Sequence, residues 1–161
     1  MNENKFDLFY MGTFSQWHRS KFVIDGITFT HAEQYMMYGK AMLFGDTVTA
    51  QQILKATHPK EQKALGRQVQ NYDEAVWVKN REDVVYKGNY AKFTQNPDML
   101  AELLATDGIL VEASPYDRIW GIGRGLKDPL ALDPKTWNGL NLLGFVLTKL
   151  REDLKKETNV N

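Results

Sequence analysis

The sequence predicts a mainly α-helical protein, a single compact domain spanning residues 1–161 with a small β element near its N-terminus. Three observations carry this. Helical periodicity with caps and prolines at its breaks fills most of residues 30–106 and returns from Leu140 to about Lys156. β-like patterning is confined to residues 6–30. The 161 residues suffice for one sizeable core, and they contain no repeat, low-complexity tract or linker.

Taken in order, Phe6 to Tyr10 is a short β-like run. Asp25-Gly26 between Phe22-Val23-Ile24 and Ile27-Thr28-Phe29 is a strong hairpin signal. The polar-aromatic stretch Gly12 to Ser20 reads as an exposed connection. Thr30 with Glu33 three residues on forms a capping-box pattern that opens a helix through Phe44. On that helix Glu33, Met36, Met37, Lys40, Ala41 and Phe44 share one stripe. Glu33 and Lys40 are seven residues apart, roughly 10 Å along the axis, too far for an i,i+4 pair but able to reach one cavity. The plainer readings are Glu33 as a capping residue and Lys40 as a lysine reaching out to water. Placing both on the apolar face is costly unless something polar meets them there.

A helix is expected from Asp46 to Ala56, and Pro59 opens the next, Lys60 to Gln70. Gly66 inside it suits a close helix approach; Arg67 beside it is either a phosphate fork or a solvated arginine. The longest helix is expected from Glu74 to about Gln95, with Trp77 more a core residue than a stacking platform by its periodicity. Asn96-Pro97-Asp98 divides it from a helix over Met99–Thr106. The final helix is expected from Leu140 to about Lys156, with Glu157–Asn161 a frayed tail.

Between the last two helices, Val111-Glu-Ala-Ser-Pro-Tyr-Asp-Arg-Ile-Trp-Gly-Ile-Gly123 is a loop entered from the apolar run Ile109–Val111. Acids beside aromatics and glycines make it a binding loop; the alternative is a turn plugged by Trp120 whose acids face water. The segment after it, with two Asp-Pro steps, meanders.

Composition excludes several functions. Twenty Lys and Arg balance twenty Asp and Glu, which argues against long engagement of a phosphate backbone but leaves room for a local anion pocket. Without cysteine there is no disulfide, thiolate nucleophile or Cys-based zinc site, and His18, His31 and His58 lack metal-ligand spacing. No apolar run reaches about 18 residues, and Met1–Lys5 is not a signal peptide. The expectation is a soluble cytoplasmic protein with no metal and no cofactor.

The chain resembles the NADAR superfamily of YbiA-like N-glycosidases. The resemblance rests on Phe14-Ser-Gln-Trp17, Ile24-Asp-Gly26, His31-Ala-Glu-Gln-Tyr-Met-Met-Tyr-Gly-Lys-Ala41, Leu65-Gly-Arg67, Trp77 and Lys92-Phe-Thr-Gln-Asn96. It continues through Leu103–Thr106, the Val111–Gly123 loop and Trp137–Arg151, and so spans roughly residues 6–151. It implies a mainly helical fold and cleavage of N-glycosidic bonds to ribose. Two substrate classes come with it: ADP-ribose on guanine in nucleic acid, and the phosphorylated ribosylaminopyrimidine intermediates of riboflavin synthesis. The segment after Gly123 varies between branches of the family, which leaves the substrate open.

In both classes ribose C1′ is bonded to an exocyclic amine. Such a glycoside can open to an imine, and a lysine kept neutral by burial can attack C1′ and hold the sugar as a Schiff base. Lys40 is the expected nucleophile, with Glu33 as proton shuttle and Asp117 as a second acid at the ribose. The competing mechanism is direct attack by water activated by a carboxylate. Trp120 and Trp77 suit base stacking, and Arg19 and Arg67 suit phosphate. Glu112, Gly121, Gly123, Asn138 and Asn141 complete the expected substrate-binding set, with a helix cap as the plainer role for Asn138. The functional alternative is a non-catalytic ADP-ribose or nucleotide-binding module, which would not need an inward lysine.

Overall fold

The computed structural model describes residues 5–159, so Met1–Asn4, on which part of the leader reading rests, lie outside the described residues. The architecture is mainly helical, as the periodicity predicts. The chain divides into two compact units. A central unit spans residues 16–96. A terminal unit combines the chain up to Ser15 with everything from Pro97 onward.

The central unit begins with a hairpin of β2 (Arg19–Ile24) and β3 (Ile27–His31), the first strand, β1 (Phe6–Phe9), belonging to the other unit. Asp25 and Gly26 both take positive φ, 50° and 79°, the tight turn that Asp-Gly favours. The strands set Phe22 opposite Phe29, whose rings stack with centroids 5.7 Å apart. Both are fully buried, each worth about 1.5–3 kcal/mol. Helices α1 (Ala32–Leu43), α2 (Thr47–Lys55), α3 (Pro59–Gly66) and α4 (Glu74–Thr94) follow. Helix α1 packs against the other three. Gly66 permits this on one side, because a Cβ there would run into the Met37 side chain.

The expected capping box does not form, and the helix starts one residue later than it implies. Thr30 and His31 remain in β3, and the N-cap of α1 is His31, without a side-chain cap bond. Gln34, not Glu33, reaches back: its Oε1 accepts from the Thr30 amide at 2.8 Å. Its Nε2 donates to the carbonyls of Ile53, Leu54 and Ala56, satisfying the end of α2. Pairing of His31 with Arg19 keeps Thr30 and His31 in β3 and so moves the helix start on.

In the terminal unit β1 (Phe6–Phe9) pairs in parallel with β4 (Ile109–Glu112), Phe6 opposite Ile109 and Phe9 opposite Glu112. The β element is therefore not wholly N-terminal, since Ile109–Val111 supplies a strand. Helix α5 spans Pro97–Ala105, and after the loop two 3-10 turns, Pro129–Leu132 and Pro134–Thr136, lead to α6 (Leu142–Asn159). Asp128 and Asp133 cap those turns, which is the local use of both Asp-Pro steps. The buried Arg151 of α6 donates to the Gly108 carbonyl and to Thr106 Oγ1, fixing the turn that enters β4. Helix α6 continues to Asn159, so the tail expected to fray from Glu157 is helical over its first three residues; Val160 and Asn161 lie outside the described residues. Among the described residues no helix is long and apolar enough to cross a membrane.

Candidate active site

In the central unit the stripe of α1 turns inward as its periodicity requires. Glu33, Met36, Met37 and Ala41 are buried, and Lys40 is half-buried one turn from the helix end. The Lys40 ammonium donates to the Gly66 carbonyl at 2.8 Å, at the C-terminus of α3, where the helix dipole favours a cation. It lies 4.7 Å from the centre of the Tyr72 ring and 5.9 Å from that of Trp77. Burial lowers the Lys40 pKa first, the Arg67 guanidinium lowers it further, and Glu33 opposes both. Lys40, Glu33 and Arg67 thus form one electrostatic neighbourhood, with the Trp77 ring beside the lysine.

Glu33 is 6% exposed, and its amide donates to the Gln16 carbonyl at 3.1 Å. The Gln16 side chain is itself buried: it accepts from Asn89 Nδ2 and donates to Met36 Sδ. The connection Gly12–Ser20, expected to be exposed, is therefore anchored in its middle at Gln16, while Gly12 and Trp17 are exposed and Arg19 and Ser20 belong to β2. Trp77 is 7% exposed, so its edge towards Lys40 is what it can offer a ligand. Arg67 is exposed immediately after α3.

In the terminal unit the loop consumes much of its own polarity. Asp117 Oδ1 accepts from the amides of Ile119 and Trp120 at 2.9 and 2.8 Å, and Ser114 Oγ accepts from those of Tyr116 and Asp117. Asn141 is fully buried, and its side chain accepts from the Glu112 amide and donates to the Leu110 carbonyl. It braces β4 and leaves no amide edge for a ligand. Glu112 is half-buried, and its carbonyl accepts from Ser114 and Ile122. Gly121 and Gly123 serve packing: a Cβ on Gly121 would crowd the Glu112 carbonyl, and one on Gly123, at φ 70°, would crowd Asn138. Asn138 is exposed, and α6 starts at Leu142, so Asn138 is no helix cap; its amide donates to the Ile122 carbonyl. Trp120 is half-buried on the same loop.

The NADAR domain model matches residues 7–155. The chain belongs to the NADAR family. An N-glycosidase of Acanthamoeba polyphaga mimivirus is 43% identical over 146 residues, which cover 87% of this chain and 86% of that protein. The solved structure of the Escherichia coli protein YbiA superposes with a TM-score of 0.80 at 28% identity, covering 98% of this chain and 89% of YbiA. A maize protein named riboflavin biosynthesis protein PYRR, chloroplastic, is 37% identical over 109 residues, 65% of this chain but 16% of the maize protein. The chain is an N-glycosidase of this family, with the mainly helical fold of YbiA.

Sequence reading of this NADAR chain missed Tyr72 beside Lys40 and, elsewhere in the central unit, the burial of Lys92. Tyr72, read as part of a turn, places its ring under the Lys40 amine; no periodicity marks it, because it lies between helices just after Asn71, whose φ is 63°. Lys92 is fully buried on α4. It continues the buried series Val85, Asn89, Lys92, whose spacing of four and three was a readable signal.

Proposed function

We propose that this NADAR N-glycosidase cleaves the bond between ribose C1′ and an exocyclic base amine, with Lys40 as the nucleophile. The substrate is ADP-ribosylated guanine in nucleic acid or a phosphorylated ribosylaminopyrimidine intermediate of riboflavin synthesis. The observation that carries this reading is the setting of the Lys40 amine, half-buried against two aromatic rings with its pKa depressed by burial and by Arg67. A binding module gains nothing from a depressed lysine, whereas amine attack on C1′ needs the neutral form. The same setting favours the Schiff base over direct attack by water.

In the proposed sequence the glycoside opens to a C1′ iminium. Lys40 adds its lone pair to C1′, Glu33 carries the proton that the added nitrogen gives up to the base nitrogen, and the base departs as a neutral amine. C1′ is then held as a protonated imine to Lys40. Water adds to C1′, giving a proton to Glu33, which passes it to the Lys40 nitrogen; the C1′–Lys40 bond breaks as the new hydroxyl loses its proton to Glu33, which releases the sugar aldehyde and the free lysine. Trp77 and Tyr72 supply aromatic surface beside the reacting carbon, and Arg67 supplies a fork for phosphate.

Mass spectrometry of products from both substrates, offered side by side to wild type and Lys40→Ala, tests the reading. Free ADP-ribose from the modified oligonucleotide or ribose phosphate from the pyrimidine identifies the substrate. Turnover that survives Lys40→Ala unchanged would sink the proposed role of the lysine. The maize relative's name favours the pyrimidine, and the zero net charge weighs against long contact with a polynucleotide.

A further inference from the structure

We propose that Arg81 is a further substrate-contacting residue of the Lys40 site, taking the phosphate on the ribose through its Nε–H and one terminal N–H. The inference rests on the N-glycosidase reading only for what that phosphate is attached to.

The packing of α1 on α4 places Arg81 there. A Cβ on Gly39 would meet the Val84 side chain, and one on Gly88 would meet the Tyr35 ring. The two helices therefore run antiparallel, and the last turn of α1, which carries Lys40, lies beside the first half of α4. Trp77, Arg81, Val84, Val85 and Gly88 share one stripe of α4 by helical periodicity, the stripe turned to α1. Arg81 is its charged member, one turn on from Trp77 and about 6 Å further along the axis. The Lys40 amine lies 5.9 Å from the centre of the Trp77 ring and 4.7 Å from that of Tyr72. Tyr72 in turn feels Arg81: burial raises the phenol pKa, Glu74 adds to the rise, and the Arg81 charge draws it back. Trp77 and Tyr72 thus connect the lysine to the arginine.

Nothing in the fold uses the Arg81 Nε–H. The side chain is half-buried, and Nε is buried with no acceptor among the described residues. A buried donor left unpaired is costly, and more so on a charged group. A lysine relieves such a cost by giving up its proton, which burial favours at Lys40; a guanidinium cannot. An acceptor brought by a ligand relieves it instead. Two N–H groups of one guanidinium make parallel bonds to two oxygens of a phosphate, and the charge strengthens both. The acids nearest in the chain, Asp73 and Glu74, are exposed at the start of α4, and Asp73 Oδ1 already accepts from the Val76 amide. Arg67, which follows α3, acts on Lys40 from a second element. Reaction of C1′ at Lys40 leaves the phosphate end of the ribose to an arginine one turn from the Trp77 ring.

The test measures binding of ribose 5-phosphate and of ADP-ribose to the full chain by NMR, following the Trp77 indole signal, with unphosphorylated ribose as the control. No turnover enters the readout, so failure of the glycosidase reading and failure of this contact are told apart. Arg81→Gln should weaken binding of the phosphorylated probes at least about tenfold and leave that of ribose unchanged. Arg81→Lys keeps the charge without the fork and should stay several-fold weaker than wild type; it also stands in where the glutamine variant does not fold. Of the two phosphorylated probes, the one that loses more names the source, a ribose monophosphate or a diphosphate-linked ribose. No saturable binding of either phosphorylated probe, an unchanged isotherm in Arg81→Gln, or an equal loss for ribose would overturn the contact. Full recovery in Arg81→Lys would overturn the fork.

Discussion

The two units hold their acidic and basic groups in opposite ways. In the central unit Glu33 and Lys40 project from a regular helix that neighbouring helices fix, Glu33 buried and the Lys40 amine donating to the Gly66 carbonyl, so the helix backbone is bonded without recourse to these side chains. In the terminal unit Asp117, Ser114 and Asn141 lie in irregular chain, and the loop's own amides and carbonyls take up their polar atoms. The lesson is that a helix can present a reactive group at little structural cost, whereas a polar loop must first satisfy itself. Substitutions in the first unit should therefore act on rate, and those in the second on stability.

The largest expected effect is on rate. Lys40→Ala should lower kcat at least about 10³-fold, roughly 4 kcal/mol on the barrier, with little change in melting temperature. Steady-state kinetics beside thermal unfolding checks this, and a large loss of stability with retained activity would reverse the comparison. Next comes a pair of glycines. In Gly139→Ala the new methyl meets the Gly121 carbonyl oxygen and the Arg118 backbone, which cannot move independently, and a loss of about 2–4 kcal/mol is expected. In Gly66→Ala the methyl meets the Met37 thioether, which can turn aside while the helix gains a better former, so the net change should be under about 1 kcal/mol. Denaturant unfolding of both proteins measures the contrast.

Lys92 extends the comparison to pH. Its folded pKa of about 7 lies below the unfolded value, so between the two the unfolded chain holds more protons. The penalty is complete below about pH 7, and this group's contribution to stability rises as pH climbs towards the ordinary lysine value. Lys92→Met should flatten that rise and raise stability most at neutral pH and below, as read from unfolding curves across pH. A smaller effect is expected at Asp117. Asp117→Ala removes the acceptor of two amides and should cost about 1–2 kcal/mol, whereas Asp117→Asn keeps that acceptor and should cost less. If Asp117→Asn is as unstable as Asp117→Ala, the bonds to Ile119 and Trp120 are not what the loop depends on. The smallest is a displaced pH profile. Arg67→Gln removes a like charge beside Lys40, so the rising acid limb of kcat/KM should move to higher pH.

What the sequence revealed divides along the same line. The Asp25-Gly26 turn, the inward stripe of α1 and the close approach at Gly66 were legible because periodicity and turn chemistry are local. The capping box expected at Thr30 does not form because strand pairing keeps Thr30 and His31 in β3, a tertiary effect that local pattern cannot register. The pairing of β1 with β4 was hidden for the same reason, its partners lying 103 residues apart in sequence. Tyr72 under Lys40 and Asn141 under β4 are products of packing, and both follow or occupy left-handed backbone that no alternation of apolar residues predicts. Lys92 was readable from its spacing with Val85 and Asn89, but a lysine is ordinarily assigned to the surface.

The most direct test of the central claim is hydride trapping during turnover, with peptide mapping of the product. A Schiff base at Lys40 predicts a reduced sugar adduct on the peptide carrying Lys40, absent in Lys40→Ala and absent without substrate. Full turnover by active enzyme with no adduct, or an adduct on another lysine, would contradict it.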